Sequence, residues 1–453
     1  MSGSVAVLDV GKTNVKLAVF DASGALLWER ATPNEILPSP PYPHANVEAI
    51  WNFFIRALRD AKLVHTIDAV VPTTHGCAAA LVDDSGLVLP VLDYEFAGVD
   101  EIEALYANLR PPYSQSLSPR LPGGLNLGRQ LAWQKQRFPQ DFAKAKFVLT
   151  YPQYWAWRLS GVAASEMTML GAHSDLWFPR ERHVSTLADA LGVSRLMPPF
   201  QPAWKVLGKV KPEIAAVTGL LPDTVILCGV HDSNASLTPH LASREPPFTI
   251  ISTGTWVIAM SVGLGLDSLK EADDMLANVD IEGRPTACAR FMGGREFSAI
   301  TAGATASPDE AAIARVIDSG ALALPCFAPQ GGPFAMRSGE IRGIVVPDDR
   351  PALATLYVAL MTDLILNRLG ANAGDLIVEG SFAANASFCA LLAALRPRQR
   401  VLSGGDSSGT ARGAALLAQW QARNFRLREC VATRPMILRG LGAYRHAWTS
   451  AIY

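Results

Sequence analysis

The segment Asp9–Asn14 places an acid, hydroxyl groups and glycine directly after an apolar run, Val5–Leu8, and Lys16 follows it. A carboxylate at the end of a strand can hold a metal-bound water. Backbone groups and hydroxyls of a turn can meet phosphate oxygens, and a lysine can meet them as a point charge. The segment therefore predicts a phosphate and metal site, with a polar hairpin that has no binding role as the alternative.

Gly11-Lys12-Thr13 is similar to the end of a Walker A loop, but the rest of that motif is missing. The motif needs a glycine five residues before Gly11, where Ala6 stands. The intervening residues continue a strand rather than a loop. The phosphate contact is therefore expected from a strand–turn–strand hairpin and not from a wrapped phosphate loop.

A second β-turn-β unit follows later in the chain. Phe248–Ser252 predicts a strand, Thr253-Gly254-Thr255 a turn, and Trp256–Val262 the returning strand. Gly254 takes the place of the glycine in the first turn. This internal repeat predicts two similar lobes, each with a glycine- and hydroxyl-bearing hairpin that could grip a polyphosphate.

A third segment, Gly229–Asn234, follows the apolar run Val225–Cys228 and predicts a strand, a glycine and the start of a helix. Asp232 would lie at the helix N-terminus, where the helix dipole favours its anionic form. Such a carboxylate can act as a general base, whereas the alternative is simple helix capping.

Two glycine loops follow predicted strands in the second half. Gly380 and Ser381 end the strand Leu376–Glu379, before a helix that begins near Asn385. Gly404–Gly409 forms a second loop of this kind. Backbone without bulky side chains at the carboxyl edge of a sheet is where nucleotides bind, so both loops are candidate nucleotide contacts.

Strands alternate with helices between these segments, which favours an α/β fold. Asn46 is expected to cap a helix, and a long apolar helix should begin near Pro351 and end at Gly370. A proline cluster near residues 238–247 is interpreted as a boundary, which gives lobes 1–240 and 241–453.

The composition limits the partners and the location. Of 453 residues, 49% are hydrophobic and 18% charged, which suits large buried cores. The net charge of −1 argues against duplex nucleic acid as the main partner.

Six cysteines without a C-x-x-C pair argue against a zinc site and favour a reducing cytoplasm. Phe248–Leu266 could span a bilayer by length, but its polar centre favours two buried strands, so no membrane partner is expected.

In this order, the segments resemble the FGGY carbohydrate kinases. The matching motifs are Asp9-x-Gly-x-Thr…Lys16, Gly229-x-x-Asp232, Thr253-Gly-Thr255, Gly380 with its helix, and Gly409-Thr-Ala-Arg-Gly-Ala-Ala415. Leu127–Trp133 and Tyr151–Glu166 are also similar to the sugar-lobe signatures of that family. The resemblance extends over nearly the whole chain.

The resemblance implies a two-lobed ribonuclease-H/actin-like fold with a central nucleotide cleft, a sugar-binding first lobe and a nucleotide-binding second lobe. It implies transfer of the γ-phosphoryl of ATP to a sugar hydroxyl in the presence of Mg²⁺, with Asp232 as the catalytic base and Asp9 near the metal. The implied ATP contacts are Gly11, Lys12, Thr13, Asn14, Lys16, Thr253, Gly254, Thr255, Gly380, Ser381 and Asn385. The implied sugar contacts are Thr74, His75, Gly76, His231 and Asp232.

The sequences around Asp232 and Trp256 look most like the rhamnulose kinase branch, with fuculose kinases close by, so L-rhamnulose or L-fuculose is the expected substrate. Ser233 and Ser381 depart from the residues that many members of the family carry there. A pentulose kinase for xylulose or ribulose is the alternative within the family. A non-catalytic sugar or nucleotide sensor, or an ATPase that works through partner proteins, is the alternative outside it. The expected partners are a sugar and ATP, and a homodimer is left open.

Overall fold

The fold is described from a computed structural model of the chain, for residues 3–304, 307–328, 330–404, 409–422 and 430–453. The chain divides into two compact units. The first contains Met1–Arg244, Ala277–Pro285 and Ser408–Leu427, and the second contains Glu245–Leu276, Thr286–Ser407 and Arg428–Tyr453. The sequence led us to expect two continuous lobes, whereas the first unit also takes in two later segments of the chain.

Many of the elements up to residue 244 are short. The strands are β1 (Ser4–Val10), β2 (Asn14–Phe20), β3 (Leu26–Pro33), β4 (Ile36–Leu37), β5 (His44–Ala45), β6 (Ile67–Thr74), β7 (Ala79–Asp83), β8 (Gly86–Leu89), β9 (Phe147–Thr150), β10 (Trp177–Phe178), β11 (His183–Val184), β12 (Val206–Lys209), β13 (Val225–Leu227) and β14 (Val230–His231). The helices are α1 (Val47–Lys62), α2 (Glu103–Leu109), α3 (Tyr113–Ser116), α4 (Leu127–Arg137), α5 (Pro139–Phe142), α6 (Tyr151–Ser160), α7 (Met167–Leu170), α8 (Thr186–Leu191), α9 (Pro212–Thr218) and α10 (Asp232–Ser243).

Beyond residue 244 the helices are longer. The strands are β15 (Phe248–Thr253), β16 (Val257–Val262), β17 (Leu276–Val279), β18 (Pro285–Phe291), β19 (Leu322–Leu324), β20 (Glu340–Arg342), β21 (Asp375–Gly380), β22 (Val401–Ser403) and β23 (Val431–Ala432). The helices are α11 (Gly293–Thr301), α12 (Glu310–Ser319), α13 (Arg350–Leu369), α14 (Ala386–Leu395), α15 (Gly409–Leu416) and α16 (Leu441–Ile452). Short 3₁₀ turns are Ala97–Ile102, Gly123–Leu125, Val193–Leu196, Glu271–Asp273, Pro347–Asp349, Ser381–Ala384 and Leu417–Ala422.

The internal repeat that the sequence predicts is present: the central sheets of the two units share the same strand arrangement. The first sheet has the order β12-β13-β6-β1-β2-β3, and the second contains the run β18-β16-β15-β21-β22-β23. In the first, β1 pairs antiparallel with β2 and parallel with β6, and β6 pairs parallel with β13. In the second, β15 pairs antiparallel with β16 and parallel with β21, and β21 pairs parallel with β22. Each hairpin therefore lies beside the carboxyl end of a parallel strand.

Several local expectations are confirmed. Asn46 caps α1, since its Oδ1 accepts a hydrogen bond from the backbone N of Ala49 at 3.1 Å. The long apolar helix is α13, and Gly370 ends it with φ 82°. The first division between the two units lies between Arg244 and Glu245, within the proline cluster, although α10 continues through Pro239.

Among the described residues, one helical segment, Pro347–Leu369, is long and apolar enough to cross a membrane by length and composition alone. Of its most apolar stretch, 89% is buried inside the structure. A helix that is apolar all round and covered in this way has the character of a core helix.

Candidate active site

The β1–β2 hairpin brings two charged side chains of the sequence prediction onto one face of the first sheet. Asp9 is paired in register with Lys16 on β2 and with Thr73 on β6. Burial, and then the nearby negative charge of Asp232, raise the pKa of Asp9 to about 7. Lys16 opposes this shift and forms an ion pair with Glu29, Nζ to Oε2, at 3.2 Å. The predicted metal-binding acid and the predicted base are thus close enough to interact.

The turn of this hairpin is closed by its own backbone. The N of Gly11 donates to the O of Asn14 at 2.9 Å. Asn34 braces the turn, because its backbone N donates to the O of Thr13 and its Nδ2 donates to the O of Gly11, both at 2.8 Å. The side chains of Thr13 and Asn14 are exposed. This rigid turn can present backbone and hydroxyl groups to a phosphate.

Lys12, the remaining residue of the turn, is bound by the segment Asp93–Glu95. Its ammonium group forms an ion pair with Asp93 and lies 3.4 Å from Oε2 of Glu95. It also lies over the ring of Tyr94, 4.6 Å from the centroid. The sequence reasoning missed this segment, which carries no recognisable binding motif.

The predicted sugar turn follows β6. The Nδ1 of His75 hydrogen-bonds the carbonyl O of Gly76 at 2.8 Å, and the His75 ring packs against Tyr94 and Tyr151 with centroids 5.4 Å away in each case. Burial lowers the pKa of His75, so its imidazole is expected to be neutral with the hydrogen on Nδ1. The hydroxyl of Thr74 is buried and donates to the carbonyl O of His75 at 2.9 Å. Thr74 therefore helps to shape the turn, and its contact with a sugar stays a prediction.

Gly76 brings the sugar turn against the residue before the predicted base. A Cβ at Gly76 would lie 2.8 Å from Nε2 of His231, so this approach needs glycine. The Nδ1 of His231 is 2.9 Å from Oδ1 of Asn234, whose Nδ2 donates to the O of Val279. Since that amide oxygen can only accept, Nδ1 of His231 carries a hydrogen. Its Nε2 is left to face Oδ1 of Asp232, at 3.2 Å.

Asp232 is the first residue of α10, as the sequence predicts. Its side chain is 31% exposed, and its Oδ1 accepts from the backbone N of Ser233 at 2.5 Å and from the Ser233 hydroxyl at 3.2 Å. Gly229 allows the strand to reach this point, because it has φ 90° and a Cβ there would lie 2.5 Å from the O of Pro72. The result is a fixed, partly exposed carboxylate that can accept a proton.

A buried pair behind this junction holds the strand that leads into α10. The hydroxyl of Thr168 accepts from the backbone N of His231 at 3.1 Å and donates to the carboxyl group of Glu166. Burial raises the pKa of Glu166 to about 8, which leaves this carboxyl group protonated at neutral pH. Glu166 lies in a stretch that the sequence singled out, whereas Thr168 carries no signal of its own.

The second hairpin is built from hydroxyl and backbone groups. The hydroxyl of Thr253 donates to the O of Glu379 and accepts from the backbone N of Phe382 at 2.9 Å, so it joins β15 to the turn after β21. The N of Gly254 donates to the O of Trp256 at 2.9 Å, which closes the turn. Thr255 is exposed at its tip. Thr253 thus holds the turn, and Thr255 is the hydroxyl left facing outward.

Gly294, at the start of α11, supports this turn and was not expected from the sequence. Its backbone N donates to the O of Thr255 at 3.2 Å, and a Cβ on it would overlap the carbonyl O of Gly254. The only sequence feature that could have indicated this contact is the pair Gly293-Gly294 at the start of α11. It allows a helix N-terminus to approach the turn directly.

Gly380 and Ser381 lie beside the second hairpin. Gly380 has φ 80°, and a Cβ there would overlap the carbonyl O of Thr253. Ser381 is exposed at the start of the next turn. The Oδ1 of Asn385 accepts from the backbone N of Phe388 at 3.0 Å and caps α14. Of the second glycine loop, residues 405–408 lie outside the described residues.

The predicted residues therefore form one cluster in each unit. Among the described residues, no group of three or more His, Cys, Asp or Glu side chains could hold a metal. Asp9 nevertheless fits Mg²⁺, which binds through one or two carboxylates and takes its other ligands from water and phosphate. A divalent cation would oppose the burial and the nearby charge of Asp232, which together raise the pKa of Asp9.

Residues 4–238 match the model for the N-terminal domain of the FGGY family of carbohydrate kinases. Residues 245–425 match the model for the C-terminal domain of carbohydrate kinase FGGY. The chain belongs to the FGGY family. The family expected from the sequence is thereby confirmed.

Solved structures agree with this membership. A carbohydrate kinase from Novosphingobium aromaticivorans is 34% identical, with a TM-score of 0.91 over 100% of this chain and 98% of that chain. The xylulose kinase from Rhodospirillum rubrum is 18% identical, with a TM-score of 0.77 over 99% of this chain and 98% of that chain. These FGGY-type neighbours confirm the predicted ribonuclease-H/actin-like fold.

Curated FGGY relatives match over a shorter span. The L-fuculokinase of Escherichia coli (strain K12) is 27% identical over 268 residues, which are 56% of this chain and 56% of that protein. The L-xylulose/3-keto-L-gulonate kinase of the same strain is 23% identical over 318 residues, which are 66% of this chain and 60% of that protein. The chain thus spans little more than half the length of the curated relatives it matches.

Proposed function

We propose that this FGGY-family protein transfers the γ-phosphoryl group of ATP to a hydroxyl group of a ketose, with Asp232 as the general base. The observation that carries the proposal is the placement of a partly exposed Asp232 carboxylate beside His231, against which Gly76 of the sugar turn packs. A base must reach the proton that it removes, and this carboxylate is fixed at a helix start where it can do so.

The side chains around the base suit a sugar. The Nε2 of His75 is an acceptor when Nδ1 donates to Gly76, whereas Nδ1 of His231 is a donor committed to Asn234. The sugar would lie against His75 and Tyr94, with the reacting hydroxyl next to Asp232. Accepting the proton there raises the nucleophilicity of the oxygen as the phosphoryl group arrives.

Each hairpin, taken by itself, offers groups that suit a phosphate. The first offers the braced backbone of Gly11 with the side chains of Thr13 and Asn14, and the second offers the backbone of Gly254 with the hydroxyl of Thr255. Gly380 and Ser381 would leave room for the adenosine. Mg²⁺, which Asp9 would help to hold, would screen phosphate charge, which is the main demand of a loose phosphoryl-transfer transition state.

L-Fuculose is the favoured ketose, because an L-fuculokinase is among the similar curated proteins. L-Rhamnulose, the other sugar expected from the motifs, follows it. A pentulose such as L-xylulose is the second candidate, supported by the similar L-xylulose/3-keto-L-gulonate kinase. Use of ATP and six cysteines that form no disulfide in the described part of the chain fit a cytoplasmic location.

The test is a coupled assay of ADP release with Mg·ATP and each ketose in turn, with the sugar phosphate identified by mass spectrometry. We expect one of L-fuculose, L-rhamnulose, L-xylulose or a ribulose to raise ADP release far above basal hydrolysis, with one sugar phosphate formed per ADP. ATP turnover that ignores every sugar, with no sugar phosphate formed, would favour the sensor or the partner-driven ATPase.

A further inference from the structure

Lys12 lies in the hairpin that we assign to phosphate, yet its ammonium group is already surrounded by protein. It contacts the carboxylates of Asp93 and Glu95 and the ring face of Tyr94. The lysine side chain is 22% exposed and that of Asp93 is 10% exposed, so the ion pair is shielded from most of the solvent. These contacts already use much of the charge and donor capacity of the ammonium group, which leaves less of both for a phosphate.

The second lysine of the hairpin is placed differently. Among the residues that the structure describes, Lys16 has one carboxylate partner, Glu29, at 3.2 Å, and it lies in register with Asp9. Its positive charge acts on Asp9, the acid that would lie near the metal. Lys16 is therefore the better candidate for meeting phosphate charge, and Lys12 needs another role.

The segment bound by Lys12, Asp93–Glu95, packs beside the sugar turn and is called the wall here. The Tyr94 ring meets the His75 ring nearly edge-on, with centroids 5.4 Å apart and planes at 70°. The backbone O of Tyr94 accepts from the N of Gly124 at 2.9 Å, and the N of Asp93 donates to the O of Pro43 at 2.9 Å. The backbone of the wall is thus tied at two points.

The side chain of Tyr94 has a different support. Its ring contacts the His75 ring, and the ammonium group of Lys12 lies over its face. Burial raises the pKa of the Tyr94 phenol, and the nearby negative charges, Asp232 among them, add to that effect. The ring therefore lies within electrostatic reach of the proposed base.

We infer that Lys12 is a positioning residue of the sugar site, which holds the Asp93–Glu95 segment and so keeps Tyr94 against His75. The inference rests on the proposed function, since it concerns the same sugar. It reassigns Lys12 from the nucleotide contacts expected from the sequence. Charge-assisted contacts of this kind are strong and directional, so losing them should loosen the wall without touching the phosphate turn.

The test separates sugar binding from nucleotide binding. In Lys12→Met, which keeps the length and removes the charge, we expect the KM for the sugar to rise about tenfold, the scale of a lost charged hydrogen bond. The dissociation constant of ADP, measured by isothermal titration calorimetry, should change by less than about twofold, which is within the spread of a neutral surface change. Lys12→Arg should restore much of the sugar affinity.

Two further variants make the result specific. Asp93→Asn should raise the sugar KM in the same way, and the double variant should add little, because both changes break one contact. Lys146→Met is the matched control. Lys146 forms an ion pair with Asp84 at 2.7 Å and lies 5.7 Å from the Phe147 ring centroid, so this variant loses the same kinds of contact away from the sugar turn. Its kinetic constants should equal those of the wild type.

A Lys12→Met variant that loses ADP affinity about tenfold while its sugar KM is unchanged would make Lys12 a phosphate ligand and overturn the inference. A variant with neither change would overturn it as well. Failure of the wild type to phosphorylate any ketose would instead remove the proposed function, and the ADP titration would still decide whether Lys12 binds the nucleotide.

Discussion

The two hairpins have the same strand arrangement and very different side chains. At the place two residues before the turn glycine, the first has Asp9 and the second has Ser252. The first hairpin is flanked by ionisable groups, whereas the hydroxyl of Thr253 in the second is used to join two strands. The two hairpins thus have the same backbone geometry. The side chains of the first suit proton and metal chemistry, whereas the second is suited to holding a phosphate through its backbone groups.

The glycines beside the hairpins show the same division. Gly76 in the first unit brings a backbone turn against the imidazole of His231. Gly380 in the second brings one backbone against another, at the carbonyl of Thr253. Both approaches depend on a residue without a Cβ, but only the one at Gly76 lies beside a titratable group.

The largest expected effect removes the base from the first unit. Asp232→Asn keeps the shape and loses the proton acceptor, so turnover should fall by about 10²–10⁴ while ADP still binds. Steady-state kinetics and calorimetry check both parts. Asp21→Asn is the matched control, because Asp21, like Asp232, accepts from the backbone N and the hydroxyl of a nearby serine, here Ser23, and lies in an ordinary turn. Near-normal turnover in the Asp232 variant would remove the assignment.

The next test compares equivalent places in the two hairpins. Asp9→Asn should raise the Mg²⁺ concentration needed for half-maximal activity by about 10- to 100-fold, the range seen when groups supporting a metal are lost. Ser252→Ala, at the corresponding place in the second hairpin, should shift it by less than about twofold. Titration of bound Mn²⁺ by electron paramagnetic resonance gives the same comparison without turnover. Equal effects in both variants would mean that the hairpins are not specialised.

A third test concerns the second unit alone. Gly380→Ala places a methyl group against the carbonyl of Thr253 at a backbone angle that alanine avoids. We expect the KM for ATP to rise roughly tenfold and the melting temperature to fall, since such strain costs about 1–3 kcal/mol. The sugar KM should change less. Gly265→Ala, where a Cβ has no neighbour within 4 Å, is the control.

The smallest expected effect is a pH dependence of folding stability, to which one buried glutamate in each unit should contribute. Glu166 in the first unit and Glu296 in the second are buried, and each has one carboxyl oxygen without a hydrogen-bond partner. Burial raises the pKa of both, to about 8 for Glu166. The folded state therefore keeps a proton that the unfolded chain loses.

From this it follows that the contribution of Glu166 to stability is greatest below the ordinary value of 4.5 and falls as the pH rises toward about 8. The slope has an upper limit of about 1.4 kcal/mol per pH unit for one proton. Glu166→Gln should remove this slope, so the variant gains stability relative to the wild type between pH 5 and pH 8 in denaturant titrations. Parallel wild-type and variant profiles would show that Glu166 is ionised in the folded protein.

The sequence by itself determined the local parts of this protein. The two hairpins, the caps at Asn46 and Gly370, and the start of a helix at Asp232 follow from turn residues, strand patterns and helix ends. These signals are local because turns and caps depend on the few residues that form them. The order of the motifs was then enough to name the family and the fold.

Only the tertiary structure decided which distant groups meet. The pairing of Lys12 with Asp93 joins residues 81 positions apart, and the contact of His231 with Thr168 joins residues 63 positions apart. A long side chain takes its partner from whatever segment the fold brings near, and neither periodicity nor turn chemistry contains that information. The same holds for α15, which returns to the first unit because Gly413 lets it pack directly on the backbone of Ala235 in α10. The types of residue predicted the chemistry, and packing between remote segments fixed which residue performs each part of it.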